Sequence, residues 1–350
     1  MSFLNGLPQI YQIIFFISLT FIFSLILTWK TRQYSIRKGI LDIPNERSSH
    51  QIPTPRGGGI AIVVTYTLSI LGLVWMKSIN PSLAWTIIIG GNTIAFVGFI
   101  DDLYSIPPHW RFLFHLGAAG IALYCLGGFS TLGLGKFTLS LHIGFLFALI
   151  VIVTCINFYN FMDGIDGLAG CEGIFVALIS GISLWLAGAH HIAMIPWLLA
   201  ASIAGFTFWN WPPAKIFLGD VGSGYLGFIF AILCLYTANN KLLPILFWEI
   251  ISAVFLCDAS FTLIYRIYEG KKWYKAHREH AYQCLASHGI KHKNITLYIS
   301  IINLLILAPI AFVSLFFQNY SFLLTIAVTL GLLFVWIRVK ARFKPITEKI

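Results

Sequence analysis

The chain has 350 residues, 58% of them hydrophobic and only 10% charged, with a mean hydropathy of +0.83. Soluble domains carry about 25% charged residues, so this composition lacks the polar surface that a water-exposed globule requires. The net charge of +10 raises nucleic acid as a partner, a reading that the placement of the cations removes.

Apolar runs of roughly 17–25 residues recur along the chain, the length that crosses a bilayer as a helix. Barrel strands would be shorter and alternating. In chain order the predicted spans cover 9–29, 57–76, 83–100, 111–127, 143–159, 172–189, 193–209, 221–238, 243–264, 295–316 and 321–337. The expectation is an all-α, polytopic transmembrane bundle of about 11 spans, one membrane domain over residues 1–350. No Lys or Arg precedes the first run, which is therefore read as a retained anchor rather than a signal peptide. The six cysteines form no CxxC pair and read as reduced, buried thiols.

With the N-terminus outside, 20 of the 23 Lys and Arg residues fall in cytoplasmic segments, leaving only Lys77, Lys136 and Lys241 outside. Such a bias sets the orientation: N-terminus out, C-terminus cytoplasmic. It also accounts for the net charge, because juxtamembrane cations hold anionic lipid head groups. No nucleic-acid partner is needed.

The acids follow the same geometry. Asp101, Asp102, Asp163, Asp166 and Asp220 all fall at cytoplasmic ends of predicted spans. An acid at the bilayer centre costs about 2.5–3.5 kcal/mol, whereas one at the edge costs little. Five separated acids can therefore gather in one cytoplasmic site.

Four stretches carry the chemistry. In "FIDDLYSIPPHWR" the Asp101–Asp102 pair ends a span, where a helix C-terminus disfavours anions, and Arg111 opens the next. In "NFYNFMDGIDGLAG" a helical path puts Asn160, Asp163 and Gly167 on one side with Asp166 adjacent; an N-cap at Asp166 explains one acid, not the set. In "KIFLGDVGSG" Asp220 lies between glycines at a helix start, where an N-capping role competes with a site role. The loop "KKWYKAHREHAYQ" brings His277, Arg278, Glu279 and His280. An earlier loop adds Arg47, His50 and Arg56 ahead of three glycines that suit a phosphate. Acids for a divalent cation, cations for phosphates and a membrane to hold a lipid together imply phosphoryl transfer between a soluble nucleotide and a lipid. Mg²⁺ is the favoured cation, with Mn²⁺ as the alternative hard ion.

These motifs, in this order over most of the chain, resemble the polyprenyl-phosphate N-acetylhexosamine-1-phosphate transferases, a glycosyltransferase 4 type family. The resemblance implies transfer of a sugar 1-phosphate from a UDP-N-acetylhexosamine to polyprenyl (undecaprenyl) phosphate, releasing UMP. It implies a catalytic set of Asp101, Asp102 and Asp220, with Asp220 as the Mg²⁺ ligand. Asn160, Asp163, Asp166 and Phe217 would serve the nucleotide, and His277, Arg278, His280, Arg47 and His50 the sugar or phosphates. It further implies a bacterial inner (cytoplasmic) membrane location and the first membrane step of surface-glycan or O-antigen synthesis; a homodimer is compatible with it. The His277–His280 loop departs from the histidine-rich form of the muramyl branch, which bears on the sugar rather than on the reaction.

A lipid phosphate has a second pKa of about 6 and is already mostly dianionic near neutrality, so direct attack is favoured over a covalent intermediate on Asp101. Two other classes compete. A transporter would keep its acids near the midplane, and only Asp258 leans that way. A CDP-alcohol phosphotransferase would need an Arg and further acids that "DGIDGLAG" lacks.

Overall fold

The computed structural model describes residues 9–44, 52–129, 141–272 and 277–343. Arg47 and His50 lie outside the described residues. Helix α1 is Gln9–Lys38, followed by a two-residue antiparallel ladder of β1 (Leu41–Asp42) and β2 (Thr54–Pro55). Then come α2 (Gly59–Trp75), α3 (Pro81–Tyr104), α4 (Pro108–Cys125), α5 (Leu141–Phe161) and α6 (Leu168–Leu186). The chain continues through α7 (His190–Asn210), α8 (Asp220–Asn239), α9 (Ile245–Ile251) and α10 (Ala253–Tyr268). It closes with the short α11 (Ala281–Ser287), α12 (His292–Phe316) and α13 (Gln318–Arg342).

Among the described residues, eight helices are long and apolar enough to cross a membrane, and the α9–α10 pair, bent by 82°, makes up to nine. Each predicted span overlaps a helix, but two stand apart from this set. Helix α2 has 17 residues and is short. Helix α4 opens with His109, Arg111 and His115, which dilute its apolar character. At 30 residues, α1 runs nine past the predicted end of its span, because a helix of about 45 Å outreaches a hydrocarbon core of about 30 Å. The surplus carries Arg32, Arg37 and Lys38.

Burial orders the bundle. In α8, 94% of the most apolar window is enclosed by protein, against 17% in α1 and 11% in α13. Helix α8 is therefore the centre, while α1 and α13 present their side chains to lipid. Glycines allow this crowding: a Cβ on Gly222 would strike Leu218 and the backbone of Gly59 in α2, and one on Gly227 would strike the Cys155 carbonyl in α5. The start of the central helix is thus surrounded by the ends of α2, α3 and α5.

Candidate active site

The site is assembled at the N-terminus of α8. Gly98 in α3 has no room for a side chain because the Asp220 backbone lies against it. That approach brings the last turn of α3 beside the first turn of α8. Asp102 Oδ1 then accepts the Asp220 N–H at 3.0 Å, and Oδ2 accepts the Val221 N–H at 3.2 Å. These are orphan donors of a helix start, where an anion is favoured. Gly219, at φ 76°, turns the chain into the helix in the left-handed region that glycine tolerates. The capping role considered for Asp220 therefore belongs to Asp102. The N-cap position is Gly219, and Asp220 is the first helical residue, with its carboxylate directed elsewhere.

That carboxylate faces three other helices. Asp220 Oδ1 accepts from Asn160 Nδ2 at 2.9 Å, and Oδ2 accepts from Arg111 Nη1 at 3.1 Å. The same guanidinium nitrogen donates to Asp101 Oδ2, so Arg111 bridges the two acids. Asp101 is buried, and its other oxygen accepts the Ile106 N–H at 2.6 Å. Asn160 also donates to Ser223 Oγ at 2.9 Å, one turn along α8. Gly98, His115 and Gly224 complete the walls of this small cleft. The sequence showed Arg111 only as the residue opening a span; its position ten residues after an Asp pair was the available signal.

The Asn160–Gly167 motif divides into two parts. Asp163 is half-buried, and desolvation there, with repulsion from Asp220 and Asp102, pushes its carboxyl well above the usual range. Arg56, paired with Asp42 at 2.9 Å, partly offsets that repulsion. Asp166 is bound to the framework: Oδ2 accepts the Ala214 N–H at 3.1 Å, and Oδ1 lies 3.4 Å from His292 Nδ1. Phe217 is half-buried, its N–H donating to Pro55 O and its carbonyl accepting from Gly58. That pairing ties the glycine run after Arg56 to the start of α8.

The loop before α11 packs against the end of α5. The rings of His277 and His280 are 4.9 Å apart, and both lie near Phe161. Burial, with His280 and Arg266 adding repulsion, pushes the His277 imidazole down to about 3. His277 is thus a neutral hydrogen-bonding group at physiological pH rather than a cation. His280 is buried and precedes α11, its N–H donating to Gln283 Oε1 at 3.3 Å. Glu279 is paired with Arg266 and Lys271. Asp258 accepts the N–H groups of Ala281 and Tyr282 at 2.8 and 3.3 Å. The acid that leaned toward transport therefore caps α11 and holds this loop.

Among the described residues, no three His, Cys, Asp or Glu side chains converge as a ready-made cation cage. Asp220 and Asp101 are the two carboxylates that line the cleft, bridged by Arg111. Mg²⁺ is commonly held by one or two carboxylates together with substrate phosphates, so this donor set fits that ion and not an all-protein cage.

The sequence profile of glycosyl transferase family 4 matches residues 84–238, the segment from α3 through α8. The chain is 29% identical over 339 residues to the probable undecaprenyl-phosphate N-acetylglucosaminyl 1-phosphate transferase of Bacillus subtilis, covering 93% of this chain and 92% of that one. It is 32% identical over 250 residues to the phospho-N-acetylmuramoyl-pentapeptide-transferase of Petrotoga mobilis, covering 64% of this chain and 73% of the relative. A third relative, the undecaprenyl-phosphate alpha-N-acetylglucosaminyl 1-phosphate transferase of Salmonella typhi, is 27% identical over 77% of this chain and 75% of its own.

Proposed function

The chain belongs to glycosyl transferase family 4 and is a membrane sugar-phosphate transferase, and from that premise we propose that it moves an N-acetylhexosamine 1-phosphate from a UDP-sugar to polyprenyl phosphate. The observation that carries this reading is the meeting of Asp101, Arg111, Asn160 and Asp220, from four separate helices, around one small cleft. The cation distribution supports an N-terminus outside, a cytoplasmic C-terminus and a cytoplasmic site. The relatives named as undecaprenyl-phosphate transferases support the polyprenyl-phosphate acceptor, and the same proposal places the chain in the inner membrane at the first membrane step of a surface glycan such as O-antigen.

In the proposed reaction a lipid phosphate oxygen forms a bond to the β-phosphorus of the donor. The bond from that phosphorus to the bridging oxygen breaks, and UMP leaves with the electron pair. When bound, Mg²⁺ supplies neutralisation of the phosphate charge; Asp220 is the residue that would hold it. Arg111 presents a fork of donors suited to phosphate oxygens, and Asn160 keeps the Asp220 carboxylate oriented. Both oxygens of Asp101 are already engaged, by Ile106 and Arg111, which favours a holding role over a nucleophilic one. In this reading Asp163 serves the nucleotide, and His277 and Arg278 serve the sugar.

The test is incubation of purified protein with polyprenyl phosphate, Mg²⁺ and a panel of UDP-sugars. UMP release matched by a lipid-diphosphate sugar is the expected result. Absence of any lipid-linked product across the panel overturns the reading.

A further inference from the structure

The turn from Asn160 to Gly167 must hold Asn160 against Asp220 while Asp163 resists repulsion from two acids. Its far end is fastened by three separate elements. Asn210, at the end of α7, accepts the Gly167 N–H at 2.9 Å. The Ala214 N–H donates to Asp166 Oδ2 at 3.1 Å. The third is α12, which is distant in sequence and carries none of the motifs. Its first residue, His292, places Nδ1 3.4 Å from both the Asp166 N–H and Asp166 Oδ1. One turn later Thr296 Oγ1 donates to the Asp166 carbonyl at 3.1 Å. Two residues on one face of α12 thus hold Asp166: Thr296 by its carbonyl, and His292 through one Nδ1 contact, accepting the N–H when that nitrogen is bare or donating to the carboxylate when it carries the proton.

We propose that His292 is a positioning residue for the nucleotide site, acting through Asp166 to keep the Asn160–Gly167 turn in register with Asp220. The inference rests on the transfer function proposed above, but its first readout does not require substrate. His292 begins a helix, and the helix N-terminus beside the Asp166 carboxylate favours that anion. A carboxylate has about four acceptor positions, so Asp166 held at two of them keeps others for a ligand. The contact lies at the Nδ1 position. An Asn side chain reaches the place of Nδ1, whereas Gln reaches that of Nε2.

The experiment compares wild-type protein with His292→Ala, His292→Asn and His292→Gln. Amide hydrogen exchange over 160–170 is measured first without substrate, then the KM and kcat for the UDP-sugar. The expected result is faster exchange in the Ala and Gln variants and near-wild-type protection in Asn. The donor KM is expected to rise about tenfold in Ala and Gln, with kcat held within about threefold, because a positioning loss that weakens ground-state and transition-state binding alike appears in KM. Unchanged exchange in the Ala variant, or equal rescue by Gln and Asn, overturns the inference. If exchange follows the expected order while no UDP-sugar is transferred by the wild type, the positioning role stands and the proposed reaction falls.

Discussion

Asp102 holds the start of the central helix: its two carboxylate oxygens accept the N–H groups of Asp220 and Val221 at 3.0 and 3.2 Å. One acid of the Asp101–Asp102 pair thus positions the backbone of a third acid, while the other shares Arg111 with that acid's side chain. The pair is two residues with different work.

For Asp102 the expectation is a loss in both stability and turnover. Asp102→Ala removes both cap acceptors and should cost about 1–2 kcal/mol. Asp102→Asn keeps one acceptor and should recover part of that loss. Thermal unfolding in detergent, read beside UMP release, checks the order wild type, Asn, Ala.

For Asp220 the two properties should separate. Its side chain is not the cap of α8, so Asp220→Asn is expected to fold with an unchanged or higher melting temperature, since a carboxylate beside Asp101 is removed. Turnover should fall to background. Any rise in melting temperature that Mg²⁺ produces in the wild type should vanish, because a ligand stabilises only the state that binds it. A Mg²⁺-dependent shift that survives in the variant would remove Asp220 from the metal site.

Arg111 neutralises Asp101 and Asp220 together. Arg111→Ala leaves two carboxylates facing each other in a confined space, so both melting temperature and turnover should fall, turnover by roughly 10²-fold. Arg111→Lys retains the charge but loses the planar fork, and an intermediate rate is expected. Equal rates for Lys and wild type would show that only the charge matters.

Asp163 yields a pH dependence with a definite sign. In the unfolded chain its carboxyl ionises near 3.9; in the fold, burial and the neighbouring acids hold the proton to higher pH. The folded state therefore binds more protons above that value, and wild-type stability falls as pH rises, by up to about 1.4 kcal/mol per unit. Asp163→Asn removes this loss. Its gain in melting temperature should be small near about pH 4 and grow toward about pH 7, measured in metal-free buffer. A gain that is flat with pH would contradict the assigned cause.

The proposed orientation is open to labelling. In a background without the six native cysteines, a cysteine at the exposed Lys241 should react with an impermeant reagent from outside, and one at the exposed Lys293 should not. Reaction at 293 from the outer face would invert the topology and move the site to the other side.

The sequence by itself determined the class of architecture and the residues from which a site is drawn. Hydrophobic runs of membrane length need no long-range information, and the gathering of Asp101, Asp102, Asp163, Asp166 and Asp220 at span ends follows from the cost of charge in lipid. What each acid does was decided only by tertiary packing. A local reading made Asp220 its own helix cap, because an Asp at a helix start has that use in isolation. The fold instead brings Asp102 from another helix, since Gly98 and Gly219 leave space for α3 against α8. Asp166 stands in the sequence as a further acid of the site, and the fold ties its carboxylate to Ala214 and His292, while Asp258, the acid that leaned toward transport, holds the start of α11. Arg111 and His292 gave little or no local signal of their roles. Their partners lie 109 and 126 residues away, and a pairing over that distance is set by how helices pack in three dimensions, which periodicity and spacing along one chain do not encode.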